Sequence, residues 1–120
     1  MKVQLQGQSL RLRIGEDELA WLLAGETIGN DTQAGSAALR QRLRIVPGDA
    51  AVLAVDAGEW AFSLPEAAVR DYVARLPCRD ALEFELPGDG DALRLSFEVD
   101  VRDSVRRRGP PPRRKAQRPD

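Results

Sequence analysis

Apolar and polar residues alternate along most of this chain, and in two places the apolar spacing lengthens to that of a helix. Val3 and Leu5 predict one short strand, and Leu10, Leu12 and Ile14 a second; alternation of this kind marks a half-buried strand. The parity changes across Gln6-Gly7-Gln8-Ser9, which predicts a hairpin turn or bulge there. Glu16 to Ala24 reads as a helix with acids in its first turn, an apolar stripe of Leu19, Leu22 and Leu23, and Gly25 as its stop. Residues 26–36 are rich in turn formers and predict a surface loop, with at most a short edge strand at Thr27–Ile28.

Ala37 to Val46 is a strong strand whose two faces carry Leu39, Leu43 and Ile45 on one side and Arg40, Arg42 and Arg44 on the other. Pro47-Gly48-Asp49 turns the chain into Ala51–Val55, whose unbroken apolar run predicts a central strand buried on both faces. After Asp56-Ala57-Gly58-Glu59 come Trp60, Phe62 and Leu64 on one strand face. Pro65 suits the first position of a helix reaching to about Leu76, with Val69, Tyr72, Val73 and Leu76 as its stripe. Leu82, Phe84 and Leu86 alternate next, then Pro87-Gly88-Asp89-Gly90-Asp91 makes a hairpin turn. Leu93, Leu95, Phe97, Val99 and Val101 form the longest clean alternation, and the pattern stops after Arg102.

These elements predict an α+β fold: a curved, mainly antiparallel sheet of six or seven strands, open to closure towards a barrel, packed against two helices. A duplicated β-α-β-β unit is suggested by two sets of matches. Ile14, Glu16, Leu19, Leu22 and Leu23 recur as Leu64, Glu66, Val69, Tyr72 and Val73 at an offset of 50, and Pro47-Gly48-Asp49 recurs as Pro87-Gly88-Asp89 at an offset of 40. One detail resists this alignment, because Leu43 and Ile45 fall opposite Glu83 and Glu85.

The opening Met1-Lys2-Val3-Gln4-Leu5-Gln6-Gly7-Gln8-Ser9-Leu10-Arg11-Leu12-Arg13-Ile14, followed by an acidic helix, resembles a family of small uncharacterised bacterial proteins. Those proteins begin with a similar strand, Gly-x-Ser and Arg-Leu-Arg arrangement. The similarity is specific over residues 1–25, loose to about residue 100, and does not cover the tail. Gly15 stands where such proteins tend to carry a Thr cap, so this helix start is weaker. The resemblance implies a single α+β domain and no activity.

At 120 residues the chain has room for one domain. Its 42% apolar and 5% aromatic content predicts an aliphatic core. Cys78 is the only cysteine, which rules out an internal disulfide and favours a reducing compartment. The N-terminal alternation lacks the apolar stretch of a signal peptide, and no window approaches a membrane span, so a cytoplasmic location is expected. Heavy use of Arg and Ala suggests a GC-rich bacterial genome.

The net charge of −1 conceals a split. Residues 1–104 hold 11 Lys/Arg against 18 Asp/Glu, a net of −7, whereas residues 105–120 hold seven against Asp120, a net of +6. An acidic domain at 1–104 with a disordered basic tail at 105–120 follows. Arg106, Arg107, Arg108, Arg113, Arg114 and Lys115 flank Pro110–Pro112, which favour an extended polyproline II path. Such a tail suits nucleic-acid phosphates or an acidic protein surface, and with no aromatic to stack on bases it would bind without sequence preference. An untethered solubilising end is the plainer reading.

Histidine is absent, which removes the commonest general base and excludes Cys/His zinc sites; no cofactor or metal is expected. Cys78 beside Arg79 has no histidine partner and reads as an inert thiol. Glu83-x-Glu85 is similar to the first half of the Glu-x-Glu-x-Lys strand of tunnel-type phosphatases, but Pro87 stands at the lysine position, and a solvated strand face explains both acids. Arg40, Arg42 and Arg44 put three guanidiniums about 7 Å apart on one face, a row able to bind phosphates or an acidic partner. Otherwise the row is solvated or pairs with Glu83, Glu85, Glu98 or Asp100. The chain is therefore expected to be a non-enzymatic binding or accessory module. The alternative is an enzyme that uses carboxylates and arginines on a phosphorylated or anionic small molecule.

Overall fold

The computed structural model describes residues 1–101. The elements run β1 (Lys2–Gln6), β2 (Ser9–Ile14), α1 (Glu16–Leu23), β3 (Ile28–Ala34), β4 (Ala37–Val46), β5 (Val52–Asp56), β6 (Glu59–Pro65), α2 (Glu66–Ala74), β7 (Leu82–Leu86) and β8 (Leu93–Val99). The α+β class is as expected. The single six- or seven-stranded sheet is not: eight strands form two four-stranded sheets, and neither closes into a barrel. The first sheet has the order β1-β2-β8-β7 and the second β3-β4-β6-β5.

Each sheet joins two antiparallel hairpins through a parallel central pair, β2 with β8 and β4 with β6. The alternation read from the sequence fixes which side chains share a face, but it is the same for parallel and antiparallel neighbours. Each helix carries the chain from one sheet to the other: α1 follows β2 and delivers the chain to β3, and α2 follows β6 and delivers it to β7.

The repeat is therefore β-β-α-β-β rather than β-α-β-β. The offset of 50 relates β1, β2 and α1 to β5, β6 and α2, matching Leu12 with Phe62, Ile14 with Leu64 and Leu22 with Tyr72. For the second hairpin of each half the offset is 54, as the register shows. Phe97 pairs with Leu12 where Leu43 pairs with Phe62, so Leu43 matches Phe97 and Ile45 matches Val99. This removes the phase conflict with Glu83 and Glu85. The two Pro-Gly-Asp runs are not equivalent, since Pro47 to Ala51 links the halves while Pro87 to Ala92 is the β7–β8 turn. A pair of hydrogen bonds repeats with the halves: Arg40 N–H donates to Gly58 O at 2.9 Å, and Arg94 N–H donates to Gln8 O at 2.8 Å.

One buried cluster draws on both sheets and both helices, including Leu10, Leu12, Ile14, Leu22, Ile28, Leu43, Phe62, Leu64, Val69, Tyr72, Leu95 and Phe97. Leu19, Leu23 and Val73 of the expected helical stripes are only partly buried against it. Tyr72 meets Phe97 edge-on, with centroids 5.9 Å apart and planes at 67°. Burial pushes the Tyr72 phenol pKa up, opposed by a hydrogen bond from the Val99 backbone.

Gly15 caps α1 without a side chain, and only the reciprocal half of a capping box remains. The Gly15 N–H donates to Glu18 Oε1 at 3.1 Å, while Glu18 Oε2 holds the Met1 ammonium at 2.6 Å. Pro65 ends β6 and serves as the N-cap of α2 instead of its first helical residue. Arg70 joins the helices, pairing with Glu66 at 2.7 Å and donating to the Leu23 carbonyl at 2.9 Å, at the negative end of α1.

Two local expectations are corrected. Residues 28–34 are a full strand, not a loop, because β4 supplies a hydrogen-bonding partner along their whole length. Residues 52–56 are an edge strand, not a central one, since β5 pairs only with β6 and leaves Val52 54% and Val55 60% exposed. An apolar run is consistent with burial on both faces but does not ensure it.

Among the described residues no helix is long and apolar enough to cross a membrane. Cys78 is a free, half-buried thiol, and its Sγ lies 3.5 Å from the Asp80 carbonyl.

Candidate functional site

Arg40, Arg42 and Arg44 lie on β4, a central strand of the second sheet, with β3 on one side and β6 on the other. Their strict alternation places them together on the face opposite Leu43, as the sequence predicts. The alternative of cross-strand pairing with Glu83, Glu85, Glu98 or Asp100 does not hold, because those acids belong to the other sheet or follow it. The acids in register with the row are Asp31 on β3 and Glu59 on β6, both paired with Arg40.

Arg42 is the most engaged of the three. Its Nη1 donates to Asp31 Oδ1 at 2.6 Å and to the Gln41 carbonyl at 3.0 Å. The guanidinium lies over Gly29, where a Cβ would stand only 2.9 Å from Nη1, so the missing side chain makes room for it. The hydrogen bond from Arg42 lowers the Asp31 carboxyl pKa and raises that of the guanidinium. Arg44 is exposed and donates through Nε to Ser63 Oγ at 3.3 Å, and Arg40 is exposed. On the opposite face Asn30 donates to Gln41 Oε1 at 2.9 Å, tying β3 to β4 beside the core. None of Gly29, Asn30 or Asp31 was singled out from the sequence, since residues 26–36 show turn chemistry and no periodicity.

The row is thus a surface feature with its own counter-charges. Changing Arg40, Arg42 and Arg44 together to Gln is expected to shift stability in denaturant melts by about 1 kcal/mol, as at other surface sites. A triple variant that fails to fold would make the row structural.

The first sheet carries a hollow of about 670 Å³ on its outer face. One row across it is Gln4, Arg11, Ser96 and Glu83, and the next is Gln6, Ser9, Arg94 and Glu85. Leu10 and Leu95 turn to the opposite side of the sheet and are buried, so the open surface is polar. Arg94 Nη2 reaches Ser9 Oγ at 3.4 Å, and farther along the face Arg13 Nε pairs with Glu98 Oε2 at 2.8 Å, with Arg11 Nη1 4.0 Å from the same oxygen. Glu83 and Glu85, expected as a solvated strand face, are exposed here. The hollow offers both signs of charge side by side, which suits ion pairing and hydrogen bonding to a mixed polar surface better than capture of a purely anionic ligand. Among the described residues no group of three or more His, Cys, Asp or Glu side chains is placed to hold a metal ion.

Arg106, Arg107, Arg108, Arg113, Arg114 and Lys115 lie outside the described residues. No family model, curated protein or solved structure matches the chain.

Proposed function

We propose that the protein is a small binding or accessory module that contacts a polyanion, such as nucleic acid or an acidic protein surface, through the cationic segment at residues 105–120. One observation carries this reading, the contrast in charge compensation. On the folded body Arg42 is held by Asp31, Arg40 stands in register with Asp31 and Glu59, and Arg13 is paired with Glu98. The last sixteen residues set seven cations against a single acid. Cations without local counter-charges release the most counterions from a polyanion, and that release drives association.

The test is a chain cut after Asp103, compared with the full chain on immobilised heparin and with single-stranded RNA at rising salt. The cut chain is expected to melt at the same temperature and to lose its salt-sensitive retention, because the body carries a net −7 and repels the same polymer. Full retention by the cut chain would move the binding surface to the body, with Arg40, Arg42 and Arg44 first in line.

A further inference from the structure

Among the described residues four strands lie at sheet edges: β1 and β7 in the first sheet, β3 and β5 in the second. An edge strand exposes a row of unpaired N–H and C=O groups, and natural edges are usually protected by charged or polar side chains. Three of these four are. The outward positions of β1 are Lys2, Gln4 and Gln6, those of β7 are Glu83 and Glu85, and β3 carries Asn30, Asp31 and Gln33.

β5 is different. From Val52 to Val55 it reads Val-Leu-Ala-Val, preceded by Ala50-Ala51, with no polar side chain before Asp56. Val52 and Val55 project to opposite faces, and both are more than half exposed. The other half of the molecule supplies an internal comparison. At the offset of 50, Val52 and Ala54 take the places that Lys2 and Gln4 hold on β1. The same structural position is thus polar in one half and apolar in the other. Beside it on β6 lie the short side chains of Ala61 and Ser63.

The backbone is equally open. Ala57 (φ 45°) and Gly58 (φ 86°) form a two-residue turn with two positive φ values, which makes Asp56 and Glu59 the closing hydrogen-bonded pair of the hairpin. Alternation then directs the N–H and C=O groups of Leu53 and Val55 away from β6, towards the free edge.

We infer that β5 pairs antiparallel with β5 of a second copy of this chain, about a two-fold axis at Leu53, joining two four-stranded sheets into one of eight strands. Charge selects the occupant. In this register Val52 faces Ala54 of the second copy and Val55 faces Ala51, just before the strand, so these apolar residues meet apolar ones, while the two Asp56 carboxylates stand about 20 Å apart. The equivalent self-pairing of β7 sets Glu83 against Glu85, and that of β3 about Asp31 sets one Asp31 against the other. Like charges directly opposite are destabilising. Self-pairing of β1 about Gln4 meets no like charges either, but it sets polar Lys2, Gln4 and Gln6 against one another, so β5 is the edge at which a copy covers exposed apolar side chains without such a penalty.

The test is sedimentation equilibrium of the full chain over roughly a hundredfold range of concentration, since dimerisation makes the apparent mass depend on concentration. A reversible monomer–dimer equilibrium is expected. Val52→Lys with Ala54→Lys, which places cations opposite one another on the outer face, should weaken it more than tenfold. Disulfide trapping gives a second measurement that does not need the lysine variant to fold. In a Cys78→Ser background, Val52→Cys chains mixed with Ala54→Cys chains should form crosslinked dimers under mild oxidation. A chain that stays monomeric throughout overturns the pairing, as does a lysine variant that folds and associates like the parent, or a mixture that gives no crosslink.

Discussion

Phe97→Ala is expected to lower the free energy of unfolding by about 3–5 kcal/mol, the range for removing a buried aromatic from a packed core. Phe97 is fully buried on β8, paired with Leu12 on one side and Leu82 on the other. Its ring also meets Tyr72 of α2. Truncation therefore opens a cavity where the middle of the first sheet touches a helix, and strands pinned on both sides cannot collapse to fill it. Leu5→Ala provides the contrast, because alternation places Leu5 in the same apolar class while the structure leaves it 58% exposed at the far end of β1. Its loss should stay within about half a kcal/mol. Denaturant melts of both variants measure the difference, and a Phe97→Ala cost below half a kcal/mol would mean that the inner face of β8 is wrongly assigned.

Gly58→Ala is expected to be the most costly single methyl addition among the turns, at about 2 kcal/mol or more. The backbone at Gly58 has φ 86°, a conformation that costs an L-residue about 1–2 kcal/mol. A Cβ there would also stand 2.8 Å from the carbonyl oxygen of Ala38. That oxygen is backbone and belongs to β4, so relief requires moving a central strand, and the neighbouring hydrogen bond from Arg40 N–H to Gly58 O would shift with it. Gly7→Ala is the matched comparison. Gly7 corresponds to Ala57 at the offset of 50, and its φ of 54° is close to the 45° that an alanine already adopts there, with no atom within 4 Å of the added carbon. It should cost clearly less. Equal melting shifts for the two variants would contradict the close approach of the β5–β6 turn to β4.

Both predictions show where the sequence was informative. The alternation of Leu93, Leu95, Phe97 and Val99 identified the inner face of β8, and the turn residues at Asp56 to Glu59 located a tight hairpin. What placed Ala38 against Gly58 was the parallel pairing of β4 with β6, strands separated by β5 in the chain. No local pattern encodes such a pairing. The arginine row was legible for the same reason as β8, because a period of two assigns Arg40, Arg42 and Arg44 to one face whatever the neighbours. Their counter-ion Asp31 was hidden, because a polar segment such as Gly29 to Gln33 becomes a strand only when a partner takes up its backbone hydrogen bonds.

The repeated arrangement of elements follows the same division. An offset of 50 was visible where helix and strand retain similar apolar spacing. The change to 54 arises at the longer connection between α2 and β7, and only the strand register reveals it. The sequence by itself determined the α+β class, both helices, the inward face of the strands other than β3 and β5, and the charge contrast between residues 1–104 and 105–120, since all of these follow from local periodicity and composition. Tertiary structure alone decided that there are two sheets, that their central strands run parallel, and that the apolar β5 lies at an edge. Those outcomes depend on which strands meet across long stretches of chain, where the balance lies between the entropy of closing the loops and the apolar surface buried together.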